Sequence, residues 1–112
     1  MKRMRVLVAN EPRSYREALA ITLQALRPQI AVMAGDPTDL DRDVVRFEPH
    51  LVICSRLTET VQTHCLAWVL FYPSGTHLIE VRVAGLQLTD TDLELSELLA
   101  IIDHTERLAQ IQ

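Results

Sequence analysis

The stretch Met4–Leu26, MRVLVANEPRSYREALAITLQAL, decides the fold. Val6, Leu7, Val8 and Ala9 form an unbroken apolar run, as expected of a strand covered on both faces. Such a strand lies inside a parallel sheet, and its carboxyl end is where open α/β folds place their sites. Asn10, Glu11 and Pro12 make a polar turn at that end. Ser14-x-x-Glu17 then reads as a capping box that opens a helix. Tyr15, Leu19, Thr22, Leu23 and Leu26 follow helical spacing and give that helix an apolar stripe. Pro28 closes it.

The alternation continues as far as Cys54. Ile30–Met33 reads as a second strand, Gly35–Thr38 as a turn, and Asp39–Phe47 as a short helix stopped by Pro49. Leu51–Cys54 is a third strand, again apolar throughout. A β-α-β-α-β order with short loops predicts a parallel sheet.

The second half departs from that order. Arg56–Thr63 is polar and predicts at most a turn or two of helix. Leu66–Tyr72 reads as a strand, and Pro73–Thr76 as a tight turn. His77–Ala84 reads as a half-exposed strand, because Ile79, Val81 and Val83 alternate with Glu80 and Arg82. The turn is far shorter than the dozen or so residues of a parallel crossover, so these two strands are expected to pair as an antiparallel hairpin. Gly85 leads through LQLTDTD to a second capping box, Thr91-x-x-Glu94. Leu95, Leu98, Leu99, Ile102, Leu108 and Ile111 give the long final helix an apolar face. The expected fold is a single α/β domain over residues 1–112. It is a flavodoxin-like three-layer sandwich, with a parallel sheet of three strands extended by an antiparallel C-terminal hairpin and a long C-terminal helix.

A chain of 112 residues and 12.7 kDa suits one domain with a real core. No apolar run approaches the roughly 20 residues that cross a bilayer. The apolar segment behind Lys2, Arg3 and Arg5 is shorter than the roughly 7–15 residues of a signal peptide, so a cytoplasmic location is expected. A net charge of −4 weighs against direct nucleic-acid binding. The charge is uneven, with Arg13 and Arg16 joining the basic start, and Asp90, Asp92, Glu94 and Glu97 clustered near the end. This is either a set of solvated element ends or a head-to-tail contact with a partner or second copy.

Little else in the chain carries chemistry. Cys54 and Cys65 sit in apolar surroundings and are read as free thiols. Together with His64 and His77 they lack the paired spacing of zinc ligands, so no metal site is expected. None of the three glycines fits a nucleotide-binding loop, and no cofactor is expected. Cys54 beside Arg56 is a faint hint of a reactive thiol. Trp68, Phe71 and Tyr72 cluster on the hairpin, either as core or as a partner-facing patch.

RVLVANEPRSYREALAITL resembles the opening of a response-regulator receiver domain, the phosphoacceptor module of two-component signalling and phosphorelays. EPHLVICSR is similar to the segment around that family's phosphorylated aspartate. The resemblance covers about residues 4–56. It implies an acidic pair for magnesium where this chain has Asn10 and Glu11, and an acceptor aspartate where it has Ser55. The family's lysine has no counterpart, since the one lysine here is Lys2. Magnesium wants hard oxygen ligands with one or two carboxylates, and Asn10, Glu11 and Ser55 make a weak set. No neighbouring base in sequence activates the Ser55 hydroxyl, and it cannot stand in for a carboxylate as acceptor. A receiver also joins its fourth and fifth strands through a helix, which the short turn here replaces. That leaves apolar sheet to be covered by the final helix or by a partner.

Non-catalytic regulation is therefore expected. The chain reads as a phosphorylation-independent pseudo-receiver, a homodimeric protein-interaction module in two-component-type signalling or transcriptional regulation, with no membrane or direct nucleic-acid partner. Asn10, Glu11 and Ser55 form its degenerate pocket. Trp68, Phe71, Tyr72, Ile79, Val81, Leu95, Leu99 and Ile102 form its expected interaction surface. The alternative is a flavodoxin-like domain that binds a small ligand at the strand ends.

Overall fold

Two faces of apolar residues on each central strand dictate the architecture. In the computed structural model, which describes residues 3–71, 79–83, 86–90 and 94–111, these strands are β1 (Arg5–Ala9), β3 (Leu51–Cys54) and β4 (Ala67–Phe71). Val6, Val8, Leu51, Ile53, Ala67 and Val69 enter one buried cluster, and Leu7, Ala9, Val52, Cys54, Trp68 and Leu70 enter another. The period of two places successive residues on opposite faces, so an unbroken apolar run feeds both layers.

The helices divide accordingly. Helix α1 (Arg13–Leu26) and helix α4 (Leu95–Ile111) bring Leu23, Leu98 and Ile102 to the first cluster. Helix α2 (Leu40–Phe47) and helix α3 (Glu59–His64) bring Leu40, Val44 and Val61 to the second. The result is a sheet between two helical layers.

The strand order is β2-β1-β3-β4-β5-β6, where β2 is Ala31–Ala34, β5 is Ile79–Val83 and β6 is Leu86–Asp90. The apolar runs predict three parallel strands, and the structure has four: β2, β1, β3 and β4. Residues 55–66 supply the crossover of about a dozen residues that a parallel partner requires, with α3 inside it. Thr58 starts this helix by accepting the Val61 N–H on its hydroxyl at 3.3 Å. Strand β4 pairs antiparallel with β5, and β5 with β6. The register sets Val69, Val81 and Leu88 in one row and Trp68, Arg82 and Gln87 in the next. The β6 segment, expected only to lead into the final helix, alternates Leu86 and Leu88 with Gln87 and Thr89, a strand pattern in its own right.

Two local expectations are corrected. The Ser14–Glu17 capping box does not form, because α1 starts two residues earlier, with Pro12 rather than Ser14 at its N-cap. Glu17 instead pairs with Arg13 at 2.8 Å. The second strand runs Ala31–Ala34 rather than Ile30–Met33, since the Ile30 N–H is drawn into a turn onto the Arg27 carbonyl. The Thr91 capping box lies outside the described residues.

At the β2 edge, Gln24 of α1 takes backbone groups that no strand reaches. Its Oε1 accepts the Val32 N–H at 3.0 Å, and its Nε2 donates to the Ile30 carbonyl at 2.7 Å. Arg3 donates to the Pro28, Gln29 and Ile30 carbonyls as well. Gln24→Ala is expected to lower the unfolding free energy by about 1 kcal/mol. Urea melts check this, with an unchanged m-value separating lost stability from altered compactness.

Helix α4 is fastened to the end of α1 by a two-pronged ion pair. Arg27 Nε and Nη2 meet Asp103 Oδ1 and Oδ2 at 2.7 and 2.9 Å. The guanidinium holds the Asp103 carboxyl below its usual range. A carboxylate whose folded pKa is depressed contributes fully above its unfolded value, near 3.9, and loses that contribution as pH falls through the folded one. Acid melts of the wild type are expected to steepen below about pH 4 relative to Asp103→Asn, which lacks the titrating group.

Candidate site at the strand ends

The carboxyl ends of β1, β2 and β3 bring together residues far apart in sequence. Asn10 follows β1 and is fully buried, and Glu11 beside it is exposed. Ser55 follows β3. Its Oγ accepts the Glu11 backbone N–H at 3.0 Å, so the hydroxyl ties one strand end to the next. The Glu11–Pro12 peptide is cis. Pro12 also accepts the Tyr15 and Arg16 N–H groups on its carbonyl, closing the first turn of α1.

Arg16 completes the site, and sequence reasoning missed it. Only 9% of Arg16 is exposed, an unusual burial for a guanidinium. Its Nη1 donates to the Asn10 carbonyl at 3.5 Å, and its Nη2 lies 3.7 Å from Asp36 Oδ2. Helical side chains lean toward the N-terminus, which carries this guanidinium from the first turn of α1 back over the strand ends. Asp36, beyond β2, uses its other oxygen on the Thr38 N–H and hydroxyl at 2.9 and 2.7 Å, and these bonds hold its carboxyl below the usual range. A signal for Arg16 existed. It stands four residues before Ala20 and seven before Leu23, on the stripe that α1 buries.

Gly35, between β2 and Asp36, allows a close approach. A Cβ there would sit 2.6 Å from Asp43 Oδ2 and 3.3 Å from Leu7 Cδ1, so a larger residue must displace the Asp43 carboxylate.

Among the described residues, the site therefore holds the buried Arg16 cation, the buried Asn10 amide and a serine hydroxyl already used by a backbone N–H. The Cys54 thiol behind Ser55 is pushed up to about 12 by burial, so it stays protonated and unreactive. Cys65 is pushed up to about 11 in the same way. Among the described residues, no three His, Cys, Asp or Glu side chains converge to hold a metal ion. His77 lies outside the described residues.

Comparison with family models, curated proteins and solved structures finds no match for this chain.

The expected interaction residues divide by burial. Ile102 is fully buried in the cluster under α1 and α4, which corrects its assignment to a surface. Trp68 is 6% exposed and belongs to the opposite cluster. The Arg82 guanidinium stands 5.7 Å from the Trp68 ring centroid, a cation–π distance. The Trp68 Nε1–H has no acceptor among the described residues. Leu95 is exposed, and Leu99 is half-buried against the core. Phe71 ends β4, and Ile79 and Val81 are register positions of β5. Tyr72 lies outside the described residues. At the opposite end of the sheet, a cleft of about 510 Å3 opens between the ends of α2 and α3, lined by Arg5, Val44, Glu48, His50, His64 and Cys65 among others.

Proposed function

We propose that this chain is a non-catalytic, phosphorylation-independent receiver-like module with a flavodoxin-like fold. It works in the cytoplasm as a homodimer that binds protein partners in two-component-type signalling or transcriptional regulation. One observation carries the reading: at the position that the resemblance gives to the acceptor, the Ser55 hydroxyl is engaged by the Glu11 N–H at 3.0 Å. The positive charge at these strand ends is the buried Arg16 guanidinium, which faces the Asp36 carboxylate. The parallel order β2-β1-β3-β4 is also that of the first four strands of a flavodoxin-like sheet. Incubation with a small-molecule phosphoryl donor and magnesium, followed by intact mass, is expected to leave the mass unchanged. A labile phosphoryl adduct overturns the reading, and light scattering that gives a monomer at all concentrations removes the homodimer.

A second reading is favoured by Arg16 specifically. A guanidinium nine-tenths buried beside the ends of parallel strands suits a small anionic ligand. Thermal-shift measurements with inorganic phosphate and small carboxylates separate the two readings. A strong rise in melting temperature that disappears in Asn10→Ala favours the ligand.

A further inference from the structure

We propose that His50 is an acid-sensitive latch, holding the amino end of β1 in the sheet through an imidazole that must remain neutral. The Arg5 backbone N–H donates to His50 Nδ1 at 3.0 Å. The His50 N–H donates in return to the Arg5 carbonyl at 2.9 Å, and the Ala67 N–H donates to the His50 carbonyl at 3.0 Å. His50 thus fastens the first residue of β1 to the first residue of β4, immediately before β3 begins. A ring nitrogen that accepts a hydrogen bond carries no proton, so the neutral ring holds its proton on Nε2. Protonation at Nδ1 sets one N–H against another, and the bond is lost.

Among the described residues, charged and titratable groups near the ring come from the elements that line the same cleft. From β1 comes Arg5, whose Nε donates to the Glu48 carbonyl at 2.8 Å, and its charge opposes a second positive charge nearby. From the end of α2 comes Glu48, exposed and left-handed at φ 51°, whose solvated carboxylate favours protonation only weakly. From the end of α3 come Cys65, neutral because burial raises it to about 11, and His64. His64 is exposed, and its Nδ1 lies 3.1 Å from the Thr60 carbonyl, a contact that β1 does not share. β3 and β4 add Leu51 and Ala67, which carry no charge.

An opened chain takes up a proton on this imidazole below about pH 6.5, whereas the latched one does not. Each opening therefore binds one more proton than the closed state, and the open population rises about tenfold per pH unit as pH falls. The cleft wall made by Arg5 and His50 is released with it. This latch is independent of the function proposed for the strand ends.

Hydrogen exchange at the Arg5 amide tests the latch, with protection corrected for the pH dependence of intrinsic exchange. Below about pH 6.5 protection is expected to fall about tenfold per pH unit in the wild type. It is expected to stay flat in His50→Asn, whose amide oxygen accepts the same bond without titrating. A flat wild-type profile, or the same slope in the variant, overturns the proposal. Should the variant fail to fold, nitrogen shifts of the wild-type His50 ring at neutral pH decide instead. A proton on Nε2 alone supports the latch, and a proton on Nδ1 overturns it.

Discussion

Ile102→Ala is expected to lower the unfolding free energy by about 2–5 kcal/mol, by the same amount at low and high protein concentration. Ile102 has no exposed surface and packs with Met4, Leu23, Leu98 and the inner strands. Truncation removes its transfer energy and leaves a cavity that rigid neighbours on several elements fill poorly. Were Ile102 an interface residue, its loss would act through association and scale with concentration. Leu95, 43% exposed at the start of the same helix, provides the contrast. Leu95→Ser is expected to shift stability by no more than about 0.5 kcal/mol. Chemical denaturation of both variants across a hundredfold range of protein concentration, about the span that resolves linkage, checks the pair. A difference in midpoint between Ile102→Ala and the wild type that changes with protein concentration returns the residue to the interface.

Arg16→Ala carries the second large effect, a loss of about 2–3 kcal/mol. Two contributions are involved. The buried aliphatic stem packs at the strand ends, and the guanidinium reaches the Asn10 carbonyl and the Asp36 carboxylate. Those polar contacts are long, at 3.5 and 3.7 Å, and the Asp36 side chain is 52% exposed, so water solvates the carboxylate left behind. The penalty of an orphaned buried charge is therefore absent. Arg16→Met keeps the stem and is expected to lose only about 1 kcal/mol. Urea melts of the two variants separate packing from charge. Equal losses would mean that the guanidinium, not the stem, holds the strand ends together.

The layered α/β core was legible because the inner strands bury both faces. Val6–Ala9 and Leu51–Cys54 admit no polar residue, as strands covered on both faces require, and the helical segments between them point to a parallel sheet. The fourth parallel strand was harder to see, because Arg56–Thr63 is polar and its short helix buries only Val61. β6 hid for a different reason: five alternating residues beside a capping-box pattern read equally well as the approach to a helix. Asn10, Glu11 and Ser55 were found by the rule that sites gather at strand ends, and the Glu11–Ser55 hydrogen bond joins two of them. Arg16 and Asp36 were not found, since a charge on a helical stripe and an aspartate in a turn each have a commoner explanation. What unites them is tertiary. Only when β2 lies beside β1 does the turn after one strand meet the helix after the other.

Gln24 has a consequence for growth. A sheet with two open edges adds copies at both and lengthens without limit, as in a fibre. Here the β2 end is stoppered by a side chain from the protein's own first helix, which takes the Val32 N–H, while Gln24 and Arg3 both take the Ile30 carbonyl. A strand adding at the β2 end would first have to displace those side chains.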